Sequence, residues 1–288
     1  MRRVAGVLLL VIVGAMIIGT ALWGAGMLFF AGPGGTTLRS GLAVAVALAA
    51  LVAIVALCFR RWRWRAVLAF AVVVAVLGGW WSTIRPSNDR DWQPEVARLA
   101  EATIQGDLVT VRNIRNFDYR TETDFTPRYY DRTFDLRRLD RVDLVAVYWM
   151  GPAIARMFVS FGFGNEYLPI SIEVRKTRSK ESLGGRGLLP AVRADLHCRG
   201  RARRHSRADK YRKPPPEEVY MFRAVAPIEN IRRAFLDHIR DINADRERPR
   251  FYNTLTTKCT TMIYAHTTMN PGHVPLSWKI LLTGDAPE

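Results

Sequence analysis

No charged residue interrupts residues 4–37, and the run VAGVLLLVIVGAMIIGTALWGAGMLFF within them is longer than a buried globular helix requires. About 20 apolar residues cross the hydrocarbon core of a bilayer. Residues 4–30 are therefore predicted to span a membrane with length to spare. Two further charge-free runs, 41–59 and 66–84, are near the minimum spanning length and rich in Ala, Val and Leu. A first run this long, followed by two more, reads as an anchor rather than a cleaved signal. The connections differ in charge: AGPGGTTLRS holds one Arg, RRWRWR four. Positive charge stays on the cytoplasmic side. RRWRWR and the N-terminal MRR are therefore expected to be cytoplasmic, and everything after Trp81 to lie outside. A domain outside the cytoplasm meets little nucleic acid. The net charge of +16 then reflects topology and surface charge, not DNA binding.

The expected organisation is a membrane anchor over residues 1–86 and one outer domain over 87–288. Trp92, Val96, Leu99 and Ala100 recur at helical spacing, which predicts a helix over 92–104 ending before Gly106. Strand alternation marks 108–117, 142–148, 157–163, 169–174 and 220–226. The second and third of the four later segments are joined by a connection short enough for antiparallel neighbours. Residues 121–138 are polar, aromatic and turn-rich, and are predicted to be a long ordered loop. Pro227 opens an amphipathic helix with Ile231, Phe235, Ile239 and Ile242 on one face. Helices and antiparallel strands in this order give an α+β domain.

Chemistry concentrates in RFYNTLTTKCTTMIYAHTTMNPGH, residues 250–273. Thr256 or Thr257 is predicted to cap a helix over 258–269. That places Cys259 in the first turn, where unpaired N–H groups and the helix dipole favour a thiolate. The bland alternative is a small packing residue. Cys58 falls within a membrane helix, leaving Cys198 and Cys259 for an outer disulfide. Cys259, His266 and His273 recur at seven-residue steps, but Pro271 breaks the helix and tight zinc spacings are absent. His266 lies two turns beyond Cys259, about 10 Å along the axis, and reads as a helix-end residue. No metal or cofactor is expected, and there is no Gly-rich phosphate loop. Glu173 points from a strand, and no His lies on the strands to complete a triad.

The stretches FVSFGFGNEYLPISIEVRK, RPRFYNTLTTKCTTMIYAHT and NPGHVPLSWKILLTGDAPE, with the run from Asn113 through GPAIA, resemble the Lnb N-terminal periplasmic domain family. The resemblance implies a periplasmic, papain-like, circularly permuted cysteine-hydrolase arrangement in a bacterial inner-membrane protein. It further implies chemistry linked to N-acylation of lipoproteins through a cysteine thioester. Cys259 in YNTLTTKCTT matches the nucleophile position, and Glu173 in ISIEVRK matches a position that orients the base. Arg156 stands where the family pattern has His, and a guanidinium stays protonated at neutral pH. The expected substrate is a lipoprotein or phospholipid acyl group; the alternative is a non-catalytic envelope module binding a partner or lipid. Oligomeric state is not legible.

Between EVRK and KPPPEEVY the resemblance stops and then resumes. Residues 183–210 hold eight Arg or Lys and two Asp. Back-translated and read one nucleotide on, residues 188–206 permit FFRQYELIYIVADERDVIR, a balanced and β-rich string. The expectation is a compensated reading-frame slip over 183–207, with a basic loop on anionic lipid as the rival. The end at GDAPE carries the expectation that the domain continues.

Overall fold

A computed structural model describes residues 2–121, 124–148, 155–175, 193–195, 218–253, 256–273 and 275–280. The proposed frame slip, its rival basic loop and Cys198 lie outside these residues, except for a three-residue strand at Arg193–Asp195. The chain divides into two compact units, one built on Met1–Arg85 and the other beginning at Pro86.

The first unit is three helices: α1 (Arg2–Ala31), α2 (Thr36–Leu57) and α3 (Arg63–Thr83). All three are long and apolar enough to cross a membrane. Their packing is that of a lipid-solvated bundle. Val46, Ala50, Ala53 and Leu57 of α2 form an inward stripe at helical spacing and cluster with Met27 and Leu28 of α1 and Phe70 and Leu77 of α3. Outward residues are equally apolar: Leu8, Leu22, Val52 and Val76 are mostly exposed. A helix apolar on every side belongs in hydrocarbon. Gly24 lets α1 and α3 approach closely, since a Cβ there would lie 2.9 Å from Leu77 Cδ1 and would have to displace the end of that side chain. Beside that contact the Trp23 and Trp81 rings meet edge to face at 5.9 Å. Helix α2 starts earlier than its charge-free run, since Arg39 and Ser40 sit in its first turns. Cys58 is the residue capping its C-terminus, not one inside the span.

The second unit is α+β. Strands β1 (Glu101–Gln105), β2 (Leu108–Arg115) and β5 (Tyr129–Asp135) form an antiparallel sheet in the order β1-β2-β5. The short β3 (Asp118–Tyr119) and β4 (Phe125–Thr126) pair with each other. A second antiparallel sheet has the order β11-β6-β7-β8, from β6 (Leu139–Tyr148), β7 (Ala155–Phe163), β8 (Glu166–Ile170) and β11 (Glu218–Arg223). Strands β9 (Ile172–Val174) and β10 (Arg193–Asp195) form a separate pair. Helices α4 (Ile228–Glu247) and α5 (Cys259–Thr267) complete the unit.

Three expectations are corrected by this architecture. The predicted helix over 92–104 is one 3-10 turn, Pro94–Val96, followed by β1. The helical spacing arose because Trp92 and Val96 pack on each other as a small separate cluster, while Gly106 takes φ +59° and turns β1 back onto β2. The predicted loop over 121–138 contains β5, whose outer face is polar and which buries only Phe134, so alternation is hard to see. The single strand expected over 169–174 is two, β8 and β9, interrupted at Ser171.

Helix α4 behaves as its periodicity predicts: Ile231, Phe235, Ile239 and Ile242 are all buried. They share one core with Val109, Val111 and Ile114 of β2 and Val159, Phe161 and Phe163 of β7. Phe235 meets the Phe161 and Phe163 rings edge to face at 5.1 and 5.3 Å. On β7, Gly162 leaves room for the Arg141 side chain, which a Cβ would meet at 2.6 Å. Truncating Phe235, which has no solvent exposure, is expected to cost about 3–5 kcal/mol in urea unfolding of Phe235→Ala. Val225→Ala, at a residue 99% exposed, is expected to change stability by no more than ~0.5 kcal/mol.

Candidate functional site

Cys259 is the first residue of α5, which has nine residues. The predicted threonine cap does not form. Lys258 occupies the N-cap position without a side-chain cap. The Thr257 hydroxyl is turned back to Asn253, donating to its carbonyl at 3.0 Å and accepting from its N–H at 2.6 Å. Asn253 Oδ1 in turn accepts from Thr256 N at 3.2 Å. The Asn253 and Thr257 oxygens are thus engaged with one another's backbone and with Thr256, and Lys258 at the N-cap gives the start of α5 no side-chain cap.

The half-buried Cys259 and Ile263 pack on a cluster of Ala146 from β6 and Ala155 and Met157 from β7. Lys258, beside it, is buried. Burial pushes the Lys258 ammonium below its ordinary value, and the neighbouring Cys259 acts in the opposite direction. Thr261 Oγ1 donates to the Lys258 carbonyl at 3.0 Å, and Thr260 Oγ1 to the Ile280 carbonyl at 2.7 Å, so the first turn of α5 is tied down on two sides.

Between Ala155 and Met157, Arg156 is the exposed residue of β7's end; its Nη1 lies 3.8 Å from Glu173 Oε1. Arg115 Nη2 lies 3.9 Å from the other carboxylate oxygen, and Ser171 Oγ donates to Glu173 Oε1 at 3.4 Å. Glu173 is therefore shared between two guanidinium groups from different strands. Arg115 is itself buried, and its Nη1 donates to the Glu95 carbonyl at 2.6 Å.

Two residues beyond Glu173, Arg175 forms a clasp on the segment entering the domain. It donates to the carbonyls of Val96 at 3.0 Å and Ala97 at 3.1 Å and to Asn88 Oδ1 at 2.8 Å, and its guanidinium lies 4.2 Å from the Trp92 ring centroid. Burial lowers its pKa to about 10. Asn88 passes the connection on, donating to the Arg246 carbonyl at the end of α4 at 2.8 Å.

A second polar cluster joins α4 to α5. His266 is buried; its Nδ1 is 2.6 Å from Asp237 Oδ2 and its Nε2 3.6 Å from Asp241 Oδ2. The His238 ring lies over it with centroids 3.7 Å apart. Arg250 extends the cluster, with Nη2 3.1 Å from Asp241 and Nε 2.5 Å from Asp245. His266 thus locks α5 against α4 at the end of the helix opposite Cys259. His273 is exposed, with Nδ1 3.3 Å from the Asn270 carbonyl. Among the described residues, no group of three His, Cys, Asp or Glu is placed to hold a metal ion.

Sequence reasoning named Cys259, Glu173, Arg156 and His266. It missed Arg115, Arg175, Asp237 and Asp241. Only the aspartates carried a signal, at an i,i+4 spacing on one face of α4. Replacing Arg175 with Leu strands the Val96 and Ala97 carbonyls. Arg175→Leu is expected to lose on the order of 3 kcal/mol and to open residues 88–97 to limited proteolysis, read as a new cleavage band.

A family model described as the Lnb N-terminal periplasmic domain matches residues 125–284, a range containing β5 to β11, both helices of the domain, Glu173 and Cys259. No curated protein and no solved structure matches the chain.

Proposed function

Because the chain belongs to the Lnb N-terminal periplasmic domain family, we propose that it is an inner-membrane protein whose outer, periplasmic domain transfers acyl groups to lipoproteins through Cys259. The observation carrying this reading is Cys259 as the first residue of α5, inside the matched range. In the papain-like arrangement that the reading entails, the thiolate adds to the carbonyl of a phospholipid ester. The C–O bond to glycerol breaks, the thioester forms, and the released alkoxide takes a proton. An amine then attacks the thioester, the C–S bond breaks, and the thiol is restored. The N–H groups of α5's first turn are the donors suited to the oxyanion of each step. The orientation with RRWRWR in the cytoplasm is part of the same proposal, as is the anchor's role. Holding the domain on the bilayer raises the effective concentration of acylated substrates.

The Arg156–Glu173 pair supports a second reading. A carboxylate that would otherwise orient a base sits between two arginines, and a guanidinium accepts no proton. On that reading the domain is a non-catalytic envelope module that binds a partner or lipid. The two readings predict different behaviour with an acyl-donating thiol probe on the purified full chain. The enzyme reading expects labelling that Cys259→Ala abolishes while the melting transition is unchanged. Labelling indifferent to Cys259→Ala favours the module.

A further inference from the structure

The connection between α2 and α3, RRWRWR at residues 60–65, packs four arginines and two tryptophans where two apolar helices end. One of the arginines acts locally, since Arg63 Nε donates to the Leu57 carbonyl at 2.7 Å and satisfies an acceptor left open at the end of α2. Arg61 and Arg65 do something else. Both are exposed, and their guanidinium carbons lie 5.8 and 5.4 Å from the centroid of the same Trp62 ring. One indole attracts each cation, but two cations gathered at one ring repel each other. The anchor cannot relieve this, because residues 1–88 contain no Asp or Glu. The compensating negative charge has to come from outside the anchor.

The position names the source. A helix end flanked by tryptophan belongs at head-group level, and Trp62 and Trp64 are 49% and 72% exposed there, each bringing an indole N–H donor. Guanidinium groups present paired N–H donors in the geometry of phosphate oxygens. A zwitterionic lipid would bring a third cation to a place already holding two, whereas an anionic lipid such as phosphatidylglycerol brings only its phosphate charge. We infer that Arg61, Trp62 and Arg65 form a binding site for the phosphate of an anionic phospholipid head group. The site is independent of the acyl-transfer reading, since it uses no residue of the outer domain.

The test is lipid selectivity of the full-length protein in phosphatidylcholine vesicles, measured by electron spin resonance. Spin-labelled phosphatidylglycerol is compared with spin-labelled phosphatidylcholine in the motionally restricted shell. The wild-type chain is expected to prefer the anionic lipid, and Arg61→Gln and Arg65→Gln each to lower the preference about five-fold. Arg39→Gln, at the start of α2 beside the other connection, is the control and leaves the preference unchanged. Replacing chloride with inorganic phosphate at equal ionic strength also leaves it unchanged. The inference is overturned if the double glutamine variant keeps the wild-type preference, or if Arg39→Gln lowers it as much. Selective loss in phosphate would show that the site takes the free ion and not the lipid.

Discussion

The apolar stripe of α4 is the constraint on which the outer domain depends. Ile231, Phe235, Ile239 and Ile242 have to leave water together, and the surfaces that receive them come from both sheets, through β2 and β7. Phe235 alone touches two phenylalanines of β7, so the helix cannot shift without opening a cavity in a close-packed core. The polar side of α4 then becomes a platform. Asp237 and Asp241 receive His266, which fixes the far end of α5, while Cys259 and Ile263 rest on β6 and β7. The position of the thiol is thus a consequence of apolar packing one helix away.

Charge organises the rest of the domain. Arginine outnumbers nearby carboxylates at the β9 edge, and the structure accommodates the excess by giving buried guanidinium groups carbonyl oxygens and aromatic faces. Arg175 uses two backbone carbonyls, an amide oxygen and the Trp92 ring. Arg115 uses the Glu95 carbonyl and the Phe117 ring, 5.4 Å from its centroid. Such a network sews the incoming segment 88–97 to the sheet edge. It also leaves Glu173 as an acceptor common to Arg115 and Arg156.

Much of this was legible in the sequence, for physical reasons that differ by element. The membrane helices announce themselves because hydrocarbon admits almost no charge. Helix α4 is legible because its stripe has one period and one buried face. Strands β6 and β7 are legible as β-branched and aromatic runs, β7 being buried along its whole length except at Arg156. Strand β5 was hidden because its outer face is polar and its aromatic residues suggest a loop. The false helix at 92–104 came from Trp92 and Val96 contacting each other locally, a pairing that periodicity cannot distinguish from a buried stripe. At the site, Cys259 was visible through its helix start, whereas the clasp by Arg175 was not. Its partners are mostly backbone carbonyls more than 70 residues away in sequence, and carbonyls leave no trace in side-chain pattern.

The chain joins an apolar three-helix anchor to an α+β domain of the Lnb type; in the function proposed for it, the thiol of Cys259 carries an acyl group between lipid and protein. The most direct test is peptide mass mapping of the full chain after incubation with a diacyl phospholipid, before and after neutral hydroxylamine. The account predicts a fatty-acyl adduct on the Cys259 peptide that hydroxylamine removes. A folded protein whose Cys259 peptide carries only the free thiol under those conditions would contradict it.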